Sequence, residues 1–170
     1  MQQKSLLDGK KAPEFVLTSA VQPVRLSAYR GRQAVLVCFV PDFAQAQSWR
    51  LLMALEQLLD ASLFVSVPVL VLGNGRSLTP ATRLTHTLRL PFTLLADDEH
   101  KVAARYGVTA ESCACFLIDQ AGQVVYEQQF ATAAALHVAD LRAALGRLSA
   151  VRRSAWSRMR ALPHPALAMS

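Results

Sequence analysis

The run AVLVCFV, residues 34–40, is apolar at every position. A short, unbroken apolar run of this kind predicts a strand covered on both faces of a sheet, whereas a half-exposed strand would alternate. Pro41 is expected to end it. Beyond it, Trp49, Leu52, Met53, Leu55, Leu58 and Leu59 recur at helical spacing and predict a helix over roughly residues 45–60. FVSVPVLVLG predicts a second buried strand, stopped by a turn at Gly73-Asn74-Gly75. Thr79-Pro80 has the chemistry of an N-cap followed by a first helical position, opening a helix through LTHTLRL that Pro91 ends. PFTLLA predicts a short strand. Asp97, Asp98 and Glu99 then place anions on the first turn of a helix that runs to Tyr106 and closes at Gly107. CACFLID and QVVYEQQF predict two strands joined by a hairpin at Asp119–Gly122, and a last helix from near Ala133 runs through LHVADLRAALGRL. Upstream, FVLTSA and PVRLSAY predict two short strands around a Gln22-Pro23 turn, followed by a tight turn at Gly31. The order β, β, β-α-β, α-β, α, β-β, α implies an α/β fold: a mixed sheet with helices on both faces.

Composition narrows the class. With 52% hydrophobic and 18% charged residues among 170, the chain is too apolar for a disordered protein and long enough for one domain with a real core. Its apolar runs stop well short of the roughly 20 residues that a membrane-crossing helix needs. The opening MQQKSLLDGKKAPEF lacks the apolar stretch of a signal peptide, and three cysteines do not make a disulfide framework. A cytoplasmic setting with reduced thiols is the expectation. The net charge of +6 changes the picture only at one end. From Leu141 onward there are six arginines and no acid, whereas the preceding residues carry 12 Lys/Arg against all 12 Asp/Glu. The body is neutral and the tail is basic.

That tail also has a pattern. Leu148, Val151, Ala155, Met159 and Leu162 recur at steps of three and four, with Trp156 at the edge of the stripe. Arg152, Arg153, Arg158 and Arg160 fall largely elsewhere around the helix. The chain therefore divides into a domain at 1–147 and a basic amphipathic helix at 148–170. The tail can pack back on its own domain, or dock through Arg152, Arg153, Trp156, Arg158, Met159 and Arg160. The docking partner would be a protein, a second copy of the chain or an anionic membrane surface. Nucleic acid is not expected, because the body offers no continuing basic patch.

Candidate chemistry is sparse. Cys113 and Cys115, two apart in a strand, point to one face at Cα positions about 6.5–7 Å apart. That is the upper limit for an unstrained disulfide, so they read either as a labile redox pair or as small core residues. Cys38, inside AVLVCFV, reads as core. Four scattered histidines and one CxC offer no metal-ligand spacing, and no Gly-rich phosphate loop is present, so neither metal nor cofactor is expected.

Three stretches in order resemble one family. Gly9-Lys10-Lys11-Ala12-Pro13-Glu14-Phe15-Val16-Leu17 is similar to its opening strand. Leu26-Ser27-Ala28-Tyr29-Arg30-Gly31 followed by VLVCFVPDF resembles its LSxYRG…VLxFxPxDF core, and Phe116-Leu117-Ile118-Asp119 with Gly122–Tyr126 resembles its final hairpin. These are features of the peroxiredoxins, the alkyl hydroperoxide reductase/thiol-specific antioxidant branch of the thioredoxin-like fold, and the resemblance spans roughly residues 6–147.

The resemblance implies peroxide reduction by a cysteine thiolate at a helix N-terminus, which becomes a sulfenic acid and is recycled by another thiol. It also implies a Thr or Ser hydroxyl and an arginine around that thiolate, arranged as Pro-x-x-x-Thr/Ser-x-x-Cys with the arginine three residues before the Phe of a late strand. Pro41 matches the proline. Gln45 stands at the hydroxyl position, Ser48 at the cysteine and Cys113 at the arginine. Shifting the alignment by one puts Ala44 and Gln47 there instead, so either register lacks the cysteine. Ser48 would need an adjacent base to act as a nucleophile, or it simply caps the helix for about 1 kcal/mol. Family geometry would set Cys113 beside this loop. Two functions follow as expectations: a non-catalytic descendant that binds a partner as an accessory subunit, or a divergent thiol-dependent oxidoreductase using Cys113 and Cys115.

Overall fold

The computed structural model describes residues 7–61, 67–132 and 135–160. Its centre is a five-stranded sheet. β3 (Val35–Asp42), β4 (Val69–Asn74) and β5 (Phe92–Ala96) run parallel, and β6 (Cys113–Ile118) and β7 (Val124–Phe130) run antiparallel, in the order β5-β4-β3-β6-β7. β1 (Val16–Thr18) and β2 (Pro23–Arg25) form a separate antiparallel ribbon ahead of it. The α-helices among the described residues are α1 (Ala46–Ala61), α2 (Leu78–Thr87), α3 (Lys101–Arg105) and α4 (Val138–Arg160). This is the mixed α/β arrangement that the pattern implied, and the thioredoxin-like fold that the resemblance implied.

The unbroken apolar run of β3 has a simple cause. Leu36, Cys38 and Val40 face a core shared with Leu51, Leu52, Leu55 and Leu58 of α1 and Leu141, Ala144 and Leu145 of α4. Val35, Val37 and Phe39 face the opposite core, with Val102 and Ala103 of α3, Tyr106 and the N-terminal Phe15. Both faces are covered, so neither set of side chains can be polar. On the second face Phe39, Tyr106 and Phe116 pack with ring centroids 5.1–5.7 Å apart, and the Tyr106 hydroxyl donates to the Pro13 carbonyl at 2.7 Å.

Several boundaries differ from the sequence reading, each for a physical reason. β3 passes through Pro41 to Asp42, because its register against β4 shifts between Phe39 and Asp42. An irregularity of this kind is where a residue without an N–H can sit in a strand. β4 likewise continues through Gly73 to Asn74. α2 starts at Leu78, so Thr79 and Pro80 lie inside its first turn, where a missing N–H costs nothing. The acidic stretch before α3 is not one helical turn: Glu99 and His100 take positive φ angles of 59° and 51°, and α3 proper begins at Lys101. α4 begins at Val138 rather than near Ala133 and crosses residues 147–148 without interruption. Leu148 packs on the first core, and buried Ser149 donates to the Leu145 carbonyl at 3.2 Å.

Asp97 holds the kink before α3. Only 1% exposed, it accepts from the backbone N–H of Val102 through one carboxylate oxygen and of Ala103 through the other, both at 2.9 Å. These are free donors of a helix start, and a buried carboxylate satisfies two at once. Asp97→Ala is expected to lower unfolding free energy by roughly 2 kcal/mol, and Asp97→Asn, which keeps one acceptor, by about half of that. Urea unfolding of the variants measures both values.

Candidate functional site

The bend from β3 into α1 is built by Asp42. Its side-chain Oδ1 accepts from Ala44 N–H at 2.8 Å, turning the chain, while its backbone carbonyl accepts from Gln45 N–H at 3.2 Å. The same carbonyl accepts from the Ser48 hydroxyl at 2.7 Å. One residue on, the Trp49 indole N–H donates to the Phe43 carbonyl at 2.8 Å. The loop is thus tied to the first turn of the helix that follows it. From below it rests on Gly73 of β4: a Cβ there would lie 2.9 Å from Val40 Cγ2 and 3.1 Å from Phe43 Cζ. Only a residue without a side chain lets Phe43 settle so low.

The residues singled out in the sequence take distinct places. Pro41 is buried near the end of β3, and Gln45 is exposed on the loop. Ser48 is fully buried as the third residue of α1. It is not the helix cap, because α1 begins two residues earlier, and its hydroxyl is engaged by Asp42. Cys113 does lie beside this loop. The Gln47 amide Nε2 sits 3.6 Å from Cys113 Sγ and donates to the Ala131 carbonyl, closing the gap between α1 and the ends of β6 and β7.

All three cysteines face the α1 side of the sheet and are fully buried. Burial pushes the Cys113 thiol above its ordinary range; neighbouring Cys115 adds to the rise and the Gln47 hydrogen bond works against it. Burial pushes Cys38 up still further, helped by the contact with Cys115. Sequence reasoning missed that contact. Cys38 and Cys115 are directly opposite in the β3–β6 register, with sulfur atoms 3.3 Å apart. A separation of 77 residues leaves no local signal for it.

Of the tail residues, Arg158 is exposed and its Nε donates to the Ser154 carbonyl at 3.4 Å. The side chains of Arg152, Arg153, Trp156, Met159 and Arg160 lie outside the described residues. Val151, Ser154 and Ser157 are exposed. A shallow groove on the outer side of α1 is lined by Ala46, Trp49, Arg50, Met53, Ala54 and Gln57. Among the described residues no three of His, Cys, Asp and Glu converge to hold a metal ion, and no helix is long and apolar enough to cross a membrane.

Residues 9–127 match the AhpC/TSA family. No curated protein matches the sequence. Among solved structures, the reduced 2-Cys peroxiredoxin of Plasmodium vivax is similar at 22% identity and a TM-score of 0.69, over 86% of this chain and 99% of that one. Peroxidoxin BcpB of Mycobacterium tuberculosis is similar at 19% identity and a TM-score of 0.67, over 86% and 98%. A putative thiol:disulfide interchange protein DsbE of Chlorobium tepidum is similar at 24% identity and a TM-score of 0.61, over 83% and 99%.

The raised thiols carry a pH consequence. Below the ordinary thiol range of about 8–9 both folded and unfolded chains hold these protons, so stability does not vary on their account. Above it the unfolded chain ionises first while the folded thiols stay neutral. Stability should therefore fall between about pH 8.5 and 10, by up to about 1.4 kcal/mol per pH unit for each thiol. The slope of urea-unfolding free energy against pH should be shallower in Cys38→Ala.

Proposed function

The chain belongs to the AhpC/TSA family of peroxiredoxin-type thiol oxidoreductases, and on that premise we propose that it is a member without peroxidase turnover, serving as a binding or accessory module. The observation that carries the reading is the state of Ser48. Its hydroxyl is sealed from solvent and donates to a backbone carbonyl, which is not a base and cannot draw off the proton. The resemblance aligns Ser48 with the residue that would attack peroxide, and the first turn of α1 holds no thiol. The thiol at hand, Cys113, is covered by Gln47 and kept neutral by burial, the reverse of the exposed, low-pKa thiolate that reacts with peroxide.

The second reading, a divergent thiol-dependent oxidoreductase using Cys113 and Cys115, is favoured by one feature: Cys113 does sit beside the loop. Hydrogen peroxide consumption in the presence of dithiothreitol separates the two. The purified protein should consume no more than dithiothreitol alone. Consumption that disappears in Cys113→Ser overturns the non-catalytic reading.

On this reading partner binding falls to the far part of α4. Supporting it are the run of arginines without an acid after Leu141 and the exposure of Val151, Ser154 and Arg158 beyond buried Ser149. An acidic protein surface is the complementary partner. A chain ending at Ala150 keeps the Leu148 and Ser149 packing, so it should stay monodisperse with an unchanged melting temperature. It should also lose, in native co-purification, any partner that the full chain retains at low salt. A shortened chain that keeps the partner, or that aggregates, refutes this assignment.

A further inference from the structure

Neither functional reading pairs the two buried thiols at the middle of the sheet, although the second enlists Cys115. Cys38 and Cys115 stand directly opposite across β3 and β6, both fully shielded, with 3.3 Å between their sulfur atoms. Residues opposed in an antiparallel pair have Cα atoms about 4.5–5.5 Å apart, inside the ~4.4–6.8 Å that a disulfide spans. Cys113 and Cys115, two apart on one strand, lie at the far limit of that range. Both sulfurs of the opposed pair also share one apolar face, so a bond between them requires no strand to turn over.

We propose that Cys38 and Cys115 form a reversible intramolecular disulfide, stapling the two strands when the protein meets a hydroperoxide. In the first step one thiol, as its thiolate, attacks the O–O bond. That bond breaks, the sulfur becomes a sulfenic acid, and the departing oxygen leaves as water after taking up the thiol proton. The second thiolate then attacks the sulfenic sulfur, the S–O bond breaks, and hydroxide leaves as water with the second proton. Two thiols have lost two electrons and one hydrogen peroxide has become two waters. The site is dry, so reaction requires local opening of the sheet, which makes the event slow and stoichiometric rather than a turnover. Once closed, the bond ties together residues 77 apart and restricts the unfolded chain.

This inference does not rest on the absence of peroxidase activity, and its test is separate. The full-length reduced protein is incubated with hydrogen peroxide in native buffer, quenched in acid, alkylated under denaturing conditions and mapped by mass spectrometry without reduction. The expected product has lost two hydrogens, links the peptides holding Cys38 and Cys115, leaves Cys113 alkylated, and reverts with dithiothreitol only after denaturation, because the folded chain shields both sulfurs. Its melting temperature should exceed that of the reduced protein. Cys113→Ala should form the same bridge, and Cys38→Ala should form none. Three alkylated thiols after oxidation, a bridge through Cys113, or an oxidised protein that melts no higher than the reduced one overturns the proposal. Mapping of the unmodified sequence decides the matter even if a variant fails to fold.

Discussion

The pairing of β3 with β6, from Val35 opposite Ile118 to Phe39 opposite Ala114, fixes the rest of the molecule. It joins the parallel half of the sheet to the antiparallel half. It also sets which residues of two apolar strands share a face. Because side chains alternate with a period of two, a slip of one residue in either strand would exchange its entire contribution to the two cores. In the observed register Cys38, Cys113 and Cys115 all lie beneath α1, while Phe39 and Phe116 meet Tyr106 on the other side. Thiols on one side and aromatic rings on the other are two results of one alignment.

The loop before α1 depends on that sheet but is held by its own bonds. Asp42 serves it twice, with a carboxylate oxygen that turns the chain and a carbonyl that gathers Gln45 and Ser48. Trp49 fixes Phe43 from the helix side, and Gln47 spans to β6 and the end of β7. Nothing in this set requires an ionised group at the helix start. The polar atoms of the loop find partners locally, which lets Phe43 and Ser48 be buried while Ala44 and Gln45 stay exposed.

Much of the fold was legible in the chain because apolar runs and turn residues are local signals. AVLVCFV and CACFLID needed no partner to be read as strands. The hairpin at Asp119–Gly122 is stated by its own residues, and Gly122 takes the positive φ that its position demands. What the pattern did not carry were choices made by distant atoms. Pro41 reads as a stop, yet the shift against β4 lets the strand pass through it. Asp97 reads as one of three anions on a helical turn, while its two bonds across a kink depend on how the chain folds back. At the site, Cys113 beside the loop followed from family likeness. Its contact with Gln47 of α1 is a product of helix packing, and that of Cys38 with Cys115 a product of register; neither could be read from spacing.

The close seat of Phe43 on Gly73 bears on how such a site can change over evolutionary time. The floor of the bend is a missing side chain on β4, and its walls are main-chain atoms of Asp42 and Phe43. The identity of the residue at the tip contributes little to that architecture. A foldable chain therefore requires the cradle, whereas the residue at its tip can change without disturbing it.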